Sequence, residues 1–171
     1  SAGFDASETP NSGTVQGIML NYVNVLTTEF TLGELVTGGT SGATAYVVNQ
    51  QAEPKVLYVV QKTGTFVANE VVTGGSSGAT ATMAAANVET NQSGRILVTE
   101  FSTAPDDGDS LQFDSTDGNA YQIQSVSTVT ANSIAYSVLV FSTSRATPIP
   151  AATTVSVRKE SSQFSLLVMI S

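Results

Sequence analysis

Residues 30–45 read FTLGELVTGGTSGATA, and residues 66–81 read FVANEVVTGGSSGATA, the same pattern returned at an offset of 36 residues (Phe30 to Phe66) with no gap. Each copy sets a Phe ahead of a carboxylate (Glu34, Glu70). A short Val-rich run follows, then a glycine pair (Gly38-Gly39, Gly74-Gly75), hydroxyl residues and a Gly-Ala-Thr-Ala restart. β-Branched residues that stop at glycines and resume beyond them describe two strands joined by a tight turn, so each copy predicts a β-hairpin. The glycine pair is expected to supply the positive φ of the turn, with Ser and Thr hydroxyls bonding the backbone groups left open at the bend. A lone two-stranded hairpin is marginal in water, so the duplicated units must pack on one another or on the rest of the chain.

Working outward, a diverged third unit follows the second. Arg95-Ile-Leu-Val resembles Lys55-Val-Leu-Tyr, and Asp109-Ser-Leu-Gln-Phe resembles Glu70-Val-Val-Thr-Gly, with the glycine turn altered. Strand-length apolar runs occur at Ile18 to Leu26, Ala45 to Val48, Val56 to Val60, Ile96 to Phe101, Tyr121 to Val129, Ile134 to Phe141, Val155 to Val157 and Phe164 to Ile170. Helix fails as a reading of these runs: Ile, Val, Thr and Tyr dominate them, capping boxes are lacking, and no apolar stripe of helical period lasts three turns. Ala79 to Val88 is the stretch closest to a helical turn, yet its counterpart in the first copy reads as strand. The expectation is an all-β chain, a β-sandwich or barrel built from hairpins. It divides into an extended arm at 1–13, a repeat module at 14–88 and a sandwich-like module at 94–171, with Ala86 to Gly94 as linker. In the last module, turns are expected at Asp117-Gly118, Ala131-Asn132 and Pro148 to Ala152, because proline cannot donate to a ladder and belongs in a connection or at an edge.

Composition narrows the function classes. The chain is 41% hydrophobic but only 12% charged, against about 25% in an average domain, so Ser, Thr, Asn, Gln and Gly must cover the surface. Net charge is −8, and the six basic residues are scattered except for Arg158-Lys159. Nucleic-acid affinity comes chiefly from clustered Lys and Arg, so a nucleic-acid partner is disfavoured. The apolar run Leu166 to Ile170 is too short to span a bilayer, and no membrane partner is expected.

No catalytic residue and no cofactor is assigned. His and Cys are absent, which removes Ser-His-Asp and Cys-His nucleophilic sites. Ser-Lys chemistry would fall to Lys55 or Lys62, but both stand at strand ends, and a catalytic lysine needs burial to lower its pKa. The GGTSGATA turns are not phosphate loops, since no Lys follows the glycines. Paired carboxylates have no spacing diagnostic of a glycosidase, and the aromatic residues lie largely in strands. No metal site is assigned either. Asp106, Asp107, Asp109, Asp114 and Asp117 are the candidates for a calcium ion, because hard cations collect carboxylates on bent loops, but their spacing departs from the EF-hand pattern.

The paired motif F-x-x-x-E-x-V-T-G-G-[TS]-S-G-A-T-A resembles repeats of structural proteins of tailed bacteriophages. The likeness covers Phe30 to Met83. It implies a non-enzymatic virion protein, most like a capsid decoration or cement protein on the outer surface of the head. Its implied partners are the major capsid protein and sister copies in a homotrimer, with the arm Ser1 to Gly13 and the strand Phe164 to Ile170 carrying contacts. The alternatives are a tail, baseplate or fibre component, or a glycan-binding β-sandwich.

Overall fold

The computed structural model describes residues 11–113 and 119–159. Among them are thirteen strands and no helix: β1 (Asn11–Val15), β2 (Ile18–Asn21), β3 (Leu35–Gly38), β4 (Thr44–Ala52), β5 (Lys55–Thr63), β6 (Val71–Gly74), β7 (Thr80–Thr82), β8 (Glu89–Thr90), β9 (Gln92–Phe101), β10 (Ser110–Phe113), β11 (Ala120–Ala131), β12 (Ile134–Ile149) and β13 (Thr154–Arg158). The all-β expectation holds. One set closes into a six-stranded antiparallel barrel in the order β1-β13-β10-β11-β12-β9. The other forms a seven-stranded sheet, β7-β6-β3-β4-β5-β2-β8, that contains both repeats.

That second sheet curls back on itself. Tyr22, just past β2, bridges Met83, just past β7, while Val23 N–H donates to Thr82 O and Ala84 N–H to Asn21 O, each at 2.9 Å. The neighbouring edge of β7 is covered by a single side chain. Asn24 donates to Thr80 O at 3.2 Å and accepts from Thr82 N–H at 2.7 Å, so its amide stands in for the missing neighbour strand.

Strand alternation sorts the side chains into three layers. Val36 and Val72 point inward from β3 and β6 to join Leu20, Val47, Leu57 and Met83 inside the curled sheet. Leu97, Leu111, Ile123, Leu139 and Phe141 fill the barrel. Between the two lies a third cluster that includes Tyr58, Val60, Val98, Tyr136 and Val138. This explains the unbroken apolar run Val56 to Val60. Leu57 and Val59 face the sheet's own core, while Val56, Tyr58 and Val60 face the barrel, so both faces of β5 are buried.

Polar side chains fix how the halves join. Gln92 is fully buried; its amide donates to Gln16 O at 2.6 Å and Gly17 O at 3.3 Å, and accepts from Val98 N–H at 2.8 Å. The chain thus passes from barrel to sheet under one glutamine. On the other side of the joint, Gln61 donates to the Tyr136 hydroxyl at 2.8 Å and accepts from Asn132 at 2.9 Å. The Gly33 backbone sits so close to β11 that an added Cβ would lie 2.4 Å from Thr130 O. The second copy carries Asn69 at the matching place, also at positive φ.

Several expectations are corrected. Asn11, Ser12 and Gly13 are not an arm: they pair with β13, and Gly13 to Val15 pair with β9, so β1 belongs to the barrel rather than to the repeat module. The expected linker is largely strand, because Glu89 and Thr90 pair with β2 and Gln92 opens β9. Pro148 lies within β12, in a stretch of shifted register between Arg145 and Ile149 where it removes no ladder bond. The C-terminal module is a closed barrel and not a sandwich, and β1 completes it. Residues 1–10, the turn at Asp117-Gly118 and the strand expected at Phe164 to Ile170 lie outside the described residues.

Replacing Gln92 by Leu keeps the volume but removes the partner of the buried Val98 N–H and of the partly buried Gln16 and Gly17 carbonyls. Urea unfolding of Gln92→Leu should show a loss of about 2–4 kcal/mol; a loss below about 1 kcal/mol would show that the joint does not depend on this amide.

Candidate functional site

The feature most specific to this chain lies where the two repeats meet. β3 and β6 pair antiparallel in the register Val36↔Gly74, Thr37↔Thr73, Gly38↔Val72, so that the repeat equivalents of one pair, Val36↔Gly74, are themselves a pair, Val72↔Gly38. The contact therefore has a local two-fold axis through Thr37 and Thr73. Gly39 N–H donates to Val71 O and Gly75 N–H to Leu35 O, both at 2.9 Å, extending the pairing symmetrically at each end.

Across this axis the two glutamates exchange places. The Glu34 carboxylate, on the first repeat, accepts Ser76 N–H at 2.8 Å and Ser77 N–H at 2.9 Å on one oxygen. The other oxygen takes the Ser77 hydroxyl at 2.6 Å and Thr31 N–H at 2.7 Å. Glu70, on the second repeat, holds the turn of the first. It accepts Thr40 N–H at 3.0 Å and Ser41 N–H at 2.9 Å, with the Ser41 hydroxyl at 2.8 Å and Val67 N–H at 2.7 Å on the second oxygen. Each carboxylate is almost wholly buried, at 5% and 3% exposure, and each clasps the other repeat's turn.

This arrangement revises the reading of the glycines. The pairs Gly38-Gly39 and Gly74-Gly75 do not have positive φ; that conformation belongs to Gly42 (+73°) and Gly78 (+72°), at the far side of each turn. Gly38 and Gly74 are required for space, because a Cβ there would stand 2.6 Å from a carboxylate oxygen of Glu70 or Glu34. Ser41 and Ser77 do act as expected at the bend, each hydroxyl also accepting the N–H two residues on, from Ala43 at 3.1 Å and Ala79 at 3.0 Å.

Burial pushes both carboxyls up, but the serine hydroxyl and the three backbone N–H groups on each outweigh it, and both end below the ordinary glutamate range. Since the folded carboxyl titrates lower than the unfolded one, its contribution to stability is complete above the unfolded value near pH 4.3 and is lost as pH falls through the folded value.

The third unit keeps the local frame without the clasp. Asp109 accepts Asp106 N–H at 2.9 Å, as Glu34 accepts Thr31 N–H, and Gly108 (φ +88°) precedes it as Gly33 (φ +95°) precedes Glu34. β10 pairs with β13 as Leu111↔Val157 and Phe113↔Val155, the register of β3 with β6 counted from the acidic residue in one case and from Thr153 in the other. At the places of Gly38 and Gly74 stand Phe113 and Val157. Both are buried, so apolar side chains fill the room that the crossing carboxylates take in the repeats.

The calcium candidates do not converge in the same way. Asp106 and Asp109 both hold the Lys159 ammonium, at 2.5 and 3.4 Å, while Asp107 turns away to accept Val126 N–H at 3.1 Å. Among the described residues no group of three or more carboxylates is placed to share a cation; Asp114 and Asp117 lie outside them. Lys62 pairs with Glu89 at 3.2 Å and donates to Gly64 O, and Lys55 stands at the β4–β5 end opposite Ala52. A shallow groove beside β8 is lined by polar and apolar groups together, among them Asn21, Glu89 and Thr90 beside Ile18, Met19 and Pro148. The chain matches no protein-family model, no curated protein and no solved structure.

Sequence reading marked Glu34 and Glu70 only as acidic strand starts. The only signal in the sequence is that both copies keep a carboxylate four residues before the first glycine of the pair; that this glycine makes room for a carboxylate shows only in the structure. Glu70→Ala should cost about 3–5 kcal/mol by stranding buried donors, and Glu70→Gln about 1–3 kcal/mol by weakening charge-assisted bonds. Urea unfolding at neutral pH measures both. Between neutral pH and about pH 3 the parent should lose stability more steeply than the Glu34→Gln/Glu70→Gln variant; parallel pH profiles would contradict the clasp.

Proposed function

We propose that the chain is a non-enzymatic structural protein of a virion, a capsid decoration protein that bridges subunits of the major capsid protein on the outer surface of the head. The observation that carries the non-enzymatic reading is the state of its buried carboxylates. A catalytic acid or base needs a pKa near the working pH and an open path to a substrate. Glu34 and Glu70 are shifted the opposite way, are covered, and have their acceptor positions filled by backbone and serine donors.

The described residues form two cores joined through a third layer. The chain's net charge of −8 keeps copies from sticking indiscriminately, which suits display at high local density. The virion assignment rests on the resemblance of the repeats to those of tailed-phage structural proteins, and the partners proposed with it are the capsid and sister copies in a trimer.

Quantitative mass spectrometry of purified particles tests this reading. Hundreds of copies of the chain per particle, in fixed ratio to the major capsid protein, are expected. A few to dozens of copies would move the chain to the tail, baseplate or fibre, and its absence from particles would overturn the proposal.

A further inference from the structure

The two-fold contact between the repeats has a consequence for how copies of the chain meet. We propose that the repeat hairpins form an interchangeable self-association element, by which a second copy of this chain docks its β6–β7 hairpin onto the β3–β4 hairpin of the first. The inference stands on the geometry of the repeats and is independent of the virion reading.

Three observations carry it. First, the pairing is self-complementary: the register is symmetric about Thr37 and Thr73, so each hairpin offers the same edge that it requires. Second, the clasps are chemically equivalent. Glu70 binds two turn N–H groups and a serine hydroxyl at 3.0, 2.9 and 2.8 Å, and Glu34 binds the matching set at 2.8, 2.9 and 2.6 Å. Nothing in either set records which chain supplies the turn. Third, β6 pairs only with β3 and β7, and the segment 64–70 that leads into it contains no strand. That segment includes Gly64 (φ +82°) and Asn69 (φ +64°) and can redirect the chain at those two points.

Exchange of the hairpin between two copies re-forms the same strand pairs, clasps and buried faces, and changes the path of two connecting segments, residues 64–70 before β6 and the residues between β7 and β8 after it. Such exchange is a low-cost route to dimers, governed by local chain concentration against the effective concentration within one chain. Crowding of newly made copies favours it. Thr37 and Thr73 are exposed at the axis, and the chain has no cysteine of its own, so both positions are open to labelling.

The experiment uses the full chain. Unfolded protein is refolded at low and high concentration, diluted, and sized by light scattering. A dimer that grows with refolding concentration and persists on dilution is expected, and monomer alone at every concentration overturns the proposal. Thr37→Cys and Thr73→Cys chains are then refolded together and treated with a short bis-maleimide. A cross-link between position 37 of one chain and position 73 of the other, several-fold above that in chains folded separately and then mixed, supports the exchange. Dimers that form without that cross-link overturn the assignment of the contact to these hairpins.

Discussion

A carboxylate taken out of water must find hydrogen-bond donors inside the protein, or it costs several kcal/mol and takes up a proton instead. This chain meets that constraint twice with one device. Each of two glutamates reaches across a two-fold contact and takes three of its four donors from a turn that belongs to the other repeat. Neither hairpin is complete alone: one supplies the acceptor and lacks the donors, and its own donors need the other's acceptor. The duplicated sequence thus creates an interlock that a single copy lacks. The glycine turns, the serine hydroxyls and the missing side chains at Gly38 and Gly74 all follow from it.

The barrel shows the same strand plan solved by other means. β10 and β13 pair in the register of β3 and β6, with Asp109 and Thr153 at the places of the glutamates. The shorter Asp109 reaches its own turn and Lys159, and does not cross to clasp a partner turn. Phe113 and Val157 then occupy the room that a crossing carboxylate requires, and the Phe113 ring packs edge-on against Tyr121. Carboxylate with glycine in one half, and aromatic or aliphatic packing in the other, are two ways to fill one volume.

Much of the fold was legible because strand period, β-branched residues and turn glycines are local signals. The strand pairs within residues 35–52 and 71–82 lie where the repeat predicts hairpins, and β10, at the diverged third unit, pairs antiparallel with β11. What escaped depends on contacts distant in sequence. Asn11 to Gly13 look like a loose arm because Asn, Ser and Gly have no strand preference, yet β13 and β9 hold them at the gap that closes the barrel. Glu89 and Thr90 read as linker for the same reason. The role of Gly38 and Gly74 was misread because glycine usually marks a backbone conformation, and only the placement of Glu34 and Glu70 shows that space is the requirement here.

The most direct test of the interlock is the ionisation of the two glutamates themselves. An NMR titration that follows the side-chain carboxyl carbons of Glu34 and Glu70 in the folded chain should place both below the ordinary glutamate value, as expected for carboxylates with every oxygen held by N–H and O–H donors. If either carboxyl titrates at or above that value in the folded protein, the reciprocal clasp does not exist as described.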